Sequence, residues 1–155
     1  MGSIYSRYII SKIKIDKYQY FTLKGTNTYC KVISIYDGDT LTLGYRYLGK
    51  NFKSKVRMLG YDSPEMKPPK NSPTRDEEKR KALLAKEYID KLTKDKILWV
   101  EFKDFDKYGR PLANLFIIDN SYCKSNKRSI NELMISNGHG YRYEGGTKKK
   151  FESSL

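Results

Sequence analysis

Two short motifs in the first half of the sequence group carboxylates with an arginine. The first is Asp-Gly-Asp-Thr at residues 37–40, and the second, at residues 57–65, begins with an arginine and ends in Asp-Ser-Pro-Glu. Carboxylate oxygens are the ligands that Ca²⁺ and Mg²⁺ prefer, and the planar guanidinium of arginine matches a phosphate. The motifs therefore indicate a divalent-cation site that handles a phosphate group. The alternative is a surface hairpin of solvated charges.

The chain between the two motifs is predicted to fold back on itself. Residues 39–45 and 52–59 are rich in strand-forming types, and a Leu-Gly-Lys-Asn sequence at 48–51 separates them. A short glycine-containing turn between two such runs is typical of a β-hairpin. The hairpin would bring Asp39 and Asp62 close together.

A third motif, Asp-Lys-Tyr-Gly-Arg, follows at residues 106–110. In this order the three motifs resemble those of the staphylococcal (micrococcal) nuclease, or thermonuclease, family, and the resemblance covers about residues 30–143. Three ordered motifs are more specific than any one of them. The resemblance implies a Ca²⁺-dependent endonuclease that hydrolyses DNA and RNA with little sequence preference. Single-stranded or unpaired substrates would be favoured, and the products would carry 5′-hydroxyl and 3′-phosphate ends.

The resemblance also assigns a metal site and a catalytic carboxylate. Asp39 and Asp62, with the backbone carbonyl of Ser63, are expected to bind one Ca²⁺ ion. Glu65 is expected to orient or deprotonate the attacking water. Serine at position 63 stands where many relatives have threonine, which matters little if the residue contributes its carbonyl.

The remaining site residues would act on the phosphate and the nucleotide. Arg57 and Arg110 are expected to clamp the phosphoryl oxygens through bidentate hydrogen bonds. Four residues resemble the nucleotide-binding groups of the family, the first two in register and the tyrosine pair only with a short gap: Lys107, Tyr108, Tyr141 and Tyr143.

Composition supports an anionic partner. The 155-residue chain carries 31 Lys and Arg against 18 Asp and Glu, a net charge of +13. Such an excess indicates nucleic acid or an acidic membrane face, and charge alone does not choose between them. The 14 tyrosines are able to stack on bases, or to lie half-buried in strands as tyrosine usually does. We expect one domain and a monomer.

The sequence has no apolar run long enough for a transmembrane helix or a signal peptide. Cys30 and Cys123 are far apart and have no CxxC or Cys/His partners, which argues against zinc and against a disulfide framework. His139, the lone histidine, is interpreted as structural. We expect a cytoplasmic protein, or a membrane-associated one if it is myristoylated.

The pattern of elements predicts a β-dominated α+β fold. A helix is expected at residues 74–94 and a second, short one at 129–137, opened by a Ser-x-x-Glu capping box. Five strands are expected at residues 28–36, 39–45, 52–59, 97–103 and 111–118. This order is that of a five-stranded, OB-fold-like Greek-key barrel with two helices.

Three segments follow from this pattern. Residues 1–27 form a basic N-terminal arm, flexible or extended and partly strand-like near residues 18–23. Its Met-Gly-Ser-Ile-Tyr-Ser start fits myristoylation of Gly2, although an expression scar can begin the same way. Residues 28–143 form the nuclease-like domain, and residues 144–155 a short basic tail.

Three functional hypotheses are compatible with the sequence. The first is an active nuclease, favoured because all five charged motif positions are present. The second is a catalytically silent nucleic-acid-binding or peptide-binding module, as occurs among nuclease-like domains that have lost these residues. The third is an acylated protein of the membrane surface, which is compatible with the first.

Overall fold

In the computed structural model, the described residues are 4–118 and 127–146. They form three α-helices: α1 (Ile4–Lys12), α2 (Arg75–Thr93) and α3 (Ile130–Ser136). The five long strands are β1 (Asn27–Ile35), β2 (Thr40–Tyr47), β3 (Lys50–Met58), β5 (Leu98–Phe105) and β6 (Pro111–Ile118). Three short strands complete the set: β4 (Tyr61–Asp62), β7 (Lys127–Ser129) and β8 (Tyr141–Arg142).

The long strands close into a barrel. They pair antiparallel in the order β3-β2-β1-β5-β6, and β7 extends the far edge of β6. A parallel pairing of β3 with β6, in which Arg57 lies opposite Leu112, joins the two ends of this sheet. The predicted β-dominated, OB-fold-like barrel is confirmed, as are the two predicted helices, which are α2 and α3.

The core follows from strand alternation. Every second residue of β6 is buried, and the same alternation in β2 buries Leu41 and Leu43 completely. Ala85 and Ile89 of α2 pack against this core from one end of the barrel. Burial of a large side chain such as Phe102 contributes roughly 1.5–3 kcal/mol.

The β2–β3 hairpin turns more tightly than the sequence indicated. Leu48 and Gly49 both have positive φ, 47° and 76°, and β3 begins at Lys50. Positive φ at both central residues is the geometry of the two-residue turns that match strand twist. This turn sets the register that places Arg57 opposite Thr40.

The N-terminal arm differs from the prediction. It contains α1 and a 3₁₀ turn at Ile15–Lys17, and residues 18–23 are not a strand. In the described part of the chain, the strand pairings of the sheets include none of residues 18–23. Phe21 of the arm contacts the barrel, because its ring lies 6.5 Å from that of Tyr47.

Within residues 4–118 and 127–146, none of the helices has the length and apolar character needed to cross a bilayer. Gly2, Cys123 and residues 147–155 of the predicted tail lie outside the described residues.

Candidate active site

The three motifs meet at one open cleft at the end of the barrel where β3 and β6 pair. The cleft has a volume of about 720 Å³. Eight of the ten candidate site residues line it: Asp39, Arg57, Ser63, Glu65, Lys107, Tyr108, Arg110 and Tyr143. Asp62 and Tyr141 are not among the lining residues, and both are attached to the site by hydrogen bonds.

The Asp-Gly-Asp-Thr turn is packed against the second motif. The Asp37 carboxylate accepts a hydrogen bond from the Asp39 backbone N–H at 3.1 Å, which tightens the turn. A Cβ at Gly38 would lie 2.8 Å from Cβ of Ser63 and 2.9 Å from Cβ of Ala85. Glycine is required here because α2 and the Ser63 segment approach the backbone so closely.

Arg57 bridges the two candidate metal-binding carboxylates. Its Nη1 lies 2.8 Å from Oδ1 of Asp39, and its Nη2 lies 2.6 Å from Oδ1 of Asp62. The arginine side chain is 12% exposed and both carboxylates are 4% exposed. Backbone pairing holds the arginine, with Thr40 on one side and Leu112 on the other. The sequence prediction that Asp39 and Asp62 approach each other agrees with this arrangement.

Negative charge exceeds positive charge around this bridge. Asp37, Asp39 and Asp62 are all buried, with Arg57 between the latter two. Burial, followed by repulsion from Asp37, raises the pKa of Asp39 to about 7, against the opposing effect of Arg57. For Arg57, burial disfavours the charged form, but the two carboxylates outweigh it and raise the pKa.

This donor set fits a hard divalent cation bound by few protein ligands. Across the described ranges, no group of three or more His, Cys, Asp or Glu side chains is arranged to hold a metal ion. A site made of two carboxylates and a backbone carbonyl would leave several positions to water, as Ca²⁺ and Mg²⁺ sites often do. The surplus negative charge at Asp39 is the feature that a cation would relieve.

The segment carrying Ser63 and Glu65 is fixed at both ends. The Ser63 backbone N–H donates to Oδ2 of Asp39 at 3.1 Å, which ties the second motif to the first. The Glu65 backbone N–H donates to Oε1 of Glu78 at 3.2 Å. Sequence reasoning missed Glu78, which is 8% exposed. Its spacing of four residues before Ala82, on the buried face of α2, is the signal that could have identified it.

The third motif is a tight turn that positions Arg110. One oxygen of Asp106 accepts from the backbone N–H groups of Tyr108 and Arg110, both at 2.9 Å. Its other oxygen accepts from Nε of Arg110 at 2.7 Å. Burial alone would raise the pKa of Asp106, but these hydrogen bonds lower it. Arg110 also reaches Oγ1 of Thr40 at 3.4 Å, across the cleft from its own turn.

Three of the four residues expected to bind the nucleotide line the cleft, and the fourth, Tyr141, does not. Tyr108 is 72% exposed at the mouth of the cleft, with Nζ of Lys107 5.1 Å from its ring center. Tyr143 lies deeper, with its ring center 5.8 Å from Cζ of Arg57. Tyr141 instead donates its hydroxyl to Oδ2 of Asp62 at 2.9 Å, because β8 pairs with β4.

Comparison with known proteins agrees with this geometry. The sequence model of the staphylococcal nuclease homologue family matches residues 55–154. Two relatives from Oryza sativa subsp. japonica, the probable staphylococcal-like nucleases CAN2 and CAN3, are each 30% identical over 119 residues. The matched region is 77% of this chain but only 25% and 24% of those proteins, so the chain spans about a quarter of their length. The chain belongs to the staphylococcal nuclease family.

Proposed function

We propose that this protein is a Ca²⁺-dependent nuclease that hydrolyses DNA and RNA with little sequence preference and acts as a monomer. The observation that supports this most is the meeting of three sequence-distant motifs at one cleft, with two buried carboxylates and two arginines beside it. Membership of the nuclease family adds to this support. A silent binding module would not need the buried carboxylates, which repel a phosphate unless a cation intervenes.

Asp39, Asp62 and the Ser63 carbonyl would hold one Ca²⁺ ion. When bound, the ion supplies positive charge beside the phosphate and lowers the free energy of charge that develops on its oxygens. The Thr40 hydroxyl and the Ser63 N–H, which both donate to Asp39, keep that carboxylate oriented.

The other residues would act on the water and the phosphate. Glu65 would accept a proton from the attacking water or orient it, on a segment that Glu78 holds in place. Arg57 and Arg110 would stabilise charge on the phosphoryl oxygens. The water oxygen would bond to phosphorus while the bond to the 5′ oxygen breaks, and the 5′ oxygen would take a proton from solvent, leaving 5′-hydroxyl and 3′-phosphate ends. Lys107, Tyr108 and Tyr143 line the cleft where an unpaired nucleotide would lie.

Cleavage of an end-labelled single-stranded DNA tests this proposal. We expect products with Ca²⁺, none with a chelator, and 3′-phosphate ends identified by their response to phosphatase. Glu65→Gln should lower the cleavage rate by about 10²–10⁴ while oligonucleotide binding persists. Glu87→Gln, an exposed carboxylate on α2, is the matched control and should cleave normally. Binding without cleavage in any divalent cation would favour the silent module instead.

We also propose that the N-terminal arm contacts an anionic membrane surface. No residue of α1 is buried, and Ile4 and Ile15 are 91% and 90% exposed. Lys12 and Lys17 add positive charge to this segment. Acylation of Gly2 would supply the second signal that stable anchoring needs.

Vesicle co-sedimentation tests the membrane proposal. The protein should sediment with vesicles that contain phosphatidylserine and not with pure phosphatidylcholine. Ile10→Asp with Ile15→Asp should abolish sedimentation, because both side chains are exposed and apolar. Leu48→Asp, at the exposed hairpin tip, is the control and should sediment normally. Equal sedimentation of the double variant and this control would contradict the proposal.

A further inference from the structure

The charged residues of the β2–β3 hairpin are all basic. Residues 40–58 contain five Lys and Arg and no Asp or Glu. Side chains alternate along β3, and the even-numbered Val56 and Met58 point into the core. The odd-numbered Lys53, Lys55 and Arg57 therefore lie on the opposite face of the strand. Arg57 is bound between Asp39 and Asp62, so within the described residues the unpaired part of this basic row consists of Lys55, at the cleft, and Lys53 farther along the strand.

The basic row extends across the neighbouring strands. Lys53 lies opposite Gly44 on β2, and Gly44 lies opposite Lys31 on β1. Lys31, Lys53 and Lys55 are all exposed, and the salt bridges found in the described part of the chain include none of the three. We call Lys31, Lys53 and Lys55 the basic track.

An aromatic side chain joins the track to the cleft. Tyr36 is 50% exposed, and Nζ of Lys55 lies 4.3 Å from its ring center. Both residues line the cleft, and they belong to segments other than the Asp106–Arg110 turn that carries Lys107 and Tyr108. A half-exposed ring beside a row of lysines suits an unpaired base whose phosphates follow the positive charge.

We propose that the basic track and Tyr36 bind single-stranded nucleic acid outside the cleavage site, so that a long substrate leaves the cleft over β3. This inference rests on the proposed nuclease function. Lys53 lies four residues before Arg57 on β3, a span of roughly 13 Å at about 3.3 Å per residue, which is enough for more than one nucleotide. Nucleic acid is favoured over a lipid surface because the track is continuous with the cleft.

The test compares two triple variants with equal loss of charge. Lys31→Gln, Lys53→Gln and Lys55→Gln remove the track. The control replaces Lys91, Lys94 and Lys96 by Gln, three exposed lysines at the C-terminal end of α2 and just beyond it. Glu78 is the residue of α2 that bonds to the cleft-lining Glu65. Lys91 lies thirteen residues farther along the helix, roughly 20 Å at about 1.5 Å per residue, so the control lysines are remote from the cleft.

Binding is measured with a chelator present, by fluorescence anisotropy of a labelled oligothymidine of about 16 nucleotides. For the track variant, the slope of log K against log salt should fall in magnitude by about 2, since each single-strand phosphate contact contributes about 0.7. Tyr36→Leu should weaken binding by at least about fivefold. The control should keep the wild-type slope.

An equal loss of slope in the track and control variants would overturn the inference, because the attraction would then be diffuse. An unchanged slope in the track variant would do the same. Because binding is measured without a cation, these outcomes do not depend on cleavage. Failure of the wild type to cleave with Ca²⁺ would overturn the proposed function alone.

Discussion

Replacing Arg57 by Gln is expected to destabilise the fold strongly in the absence of metal. The substitution removes the guanidinium that bridges Asp39 and Asp62 and leaves both carboxylates buried, each 4% exposed. Removing one partner of a buried ion pair typically costs about 3–5 kcal/mol, because the charge that stays behind is uncompensated.

Protonation limits this cost at neutral pH. The pKa of Asp39 is already about 7, so a proton can replace part of the missing positive charge. We therefore expect the free energy of unfolding to fall by about 3 kcal/mol at pH 7, the lower end of that range. Loss of Arg57 removes the one effect that lowers the pKa of Asp39 most, so this pKa rises further above its unfolded value and the folded variant binds more protons. The difference in the free energy of unfolding between the variant and the wild type should consequently shrink as the pH falls from 7 towards 5.

Urea unfolding with a chelator present measures this difference. The single tryptophan, Trp99, is 8% exposed and reports the loss of packing by fluorescence. Adding Ca²⁺ at about 100 times its dissociation constant should stabilise the folded protein by about 2.7 kcal/mol, provided that the variant keeps the site. Arg80→Gln, which breaks an exposed pair with Glu77 on α2, should leave the urea midpoint unchanged. If the free energy of unfolding of Arg57→Gln is less than about 1 kcal/mol below that of the wild type at pH 7, the arginine is not the main counter-charge of the two carboxylates and this reasoning is refuted.

Three further experiments test the burial of individual side chains. Asn131→Ala should lower stability by about 1–3 kcal/mol in urea unfolding, because the buried amide donates to the Leu59 carbonyl at 2.7 Å and accepts from the Leu115 N–H at 3.0 Å. In a Cys123→Ser background, Cys30 should react with a thiol reagent only after unfolding, because burial raises its pKa to about 12. Rapid labelling of the native protein would contradict this prediction. Burial lowers the pKa of His139, the single histidine, so proton NMR should show the ring titrating below 6.5. A midpoint at or above 6.5 would show that the ring is more hydrated than its stacking on Tyr88 indicates.

Local patterns were sufficient for most of the barrel. The predicted strand at 111–118 is β6, Pro111–Ile118, and the predicted helix at 74–94 is α2 with one residue fewer at each end. These elements have clear periodicity, and tertiary packing agrees with it. Ser129 likewise caps α3 as predicted, with its side chain accepting from the Glu132 N–H.

Contacts between distant segments were not predictable from the sequence alone. The bond from Glu65 to Glu78 and the bond from Tyr141 to Asp62 depend on how α2 and β8 dock on the barrel. No local propensity encodes the distance between such segments. The α1 helix was not predicted, because Ile and Tyr have only a modest helix propensity and no residue of α1 is buried in the core.

The register of the site is set by the hydrophobic core. Arg57 stands between Val56 and Met58, which are 0% and 1% exposed. A shift of β3 by one residue would turn both apolar side chains outward and move the arginine into the core. Burial of the two neighbours therefore keeps the guanidinium pointing to the cleft. The same backbone segment pairs with β2 and with β6, so this one register also aligns the strand that follows Asp39 with the strand that follows Arg110. Selection for a stable core thus places all three motifs at once, and a core substitution at Val56 or Met58 is expected to disturb the cleft as well as the stability.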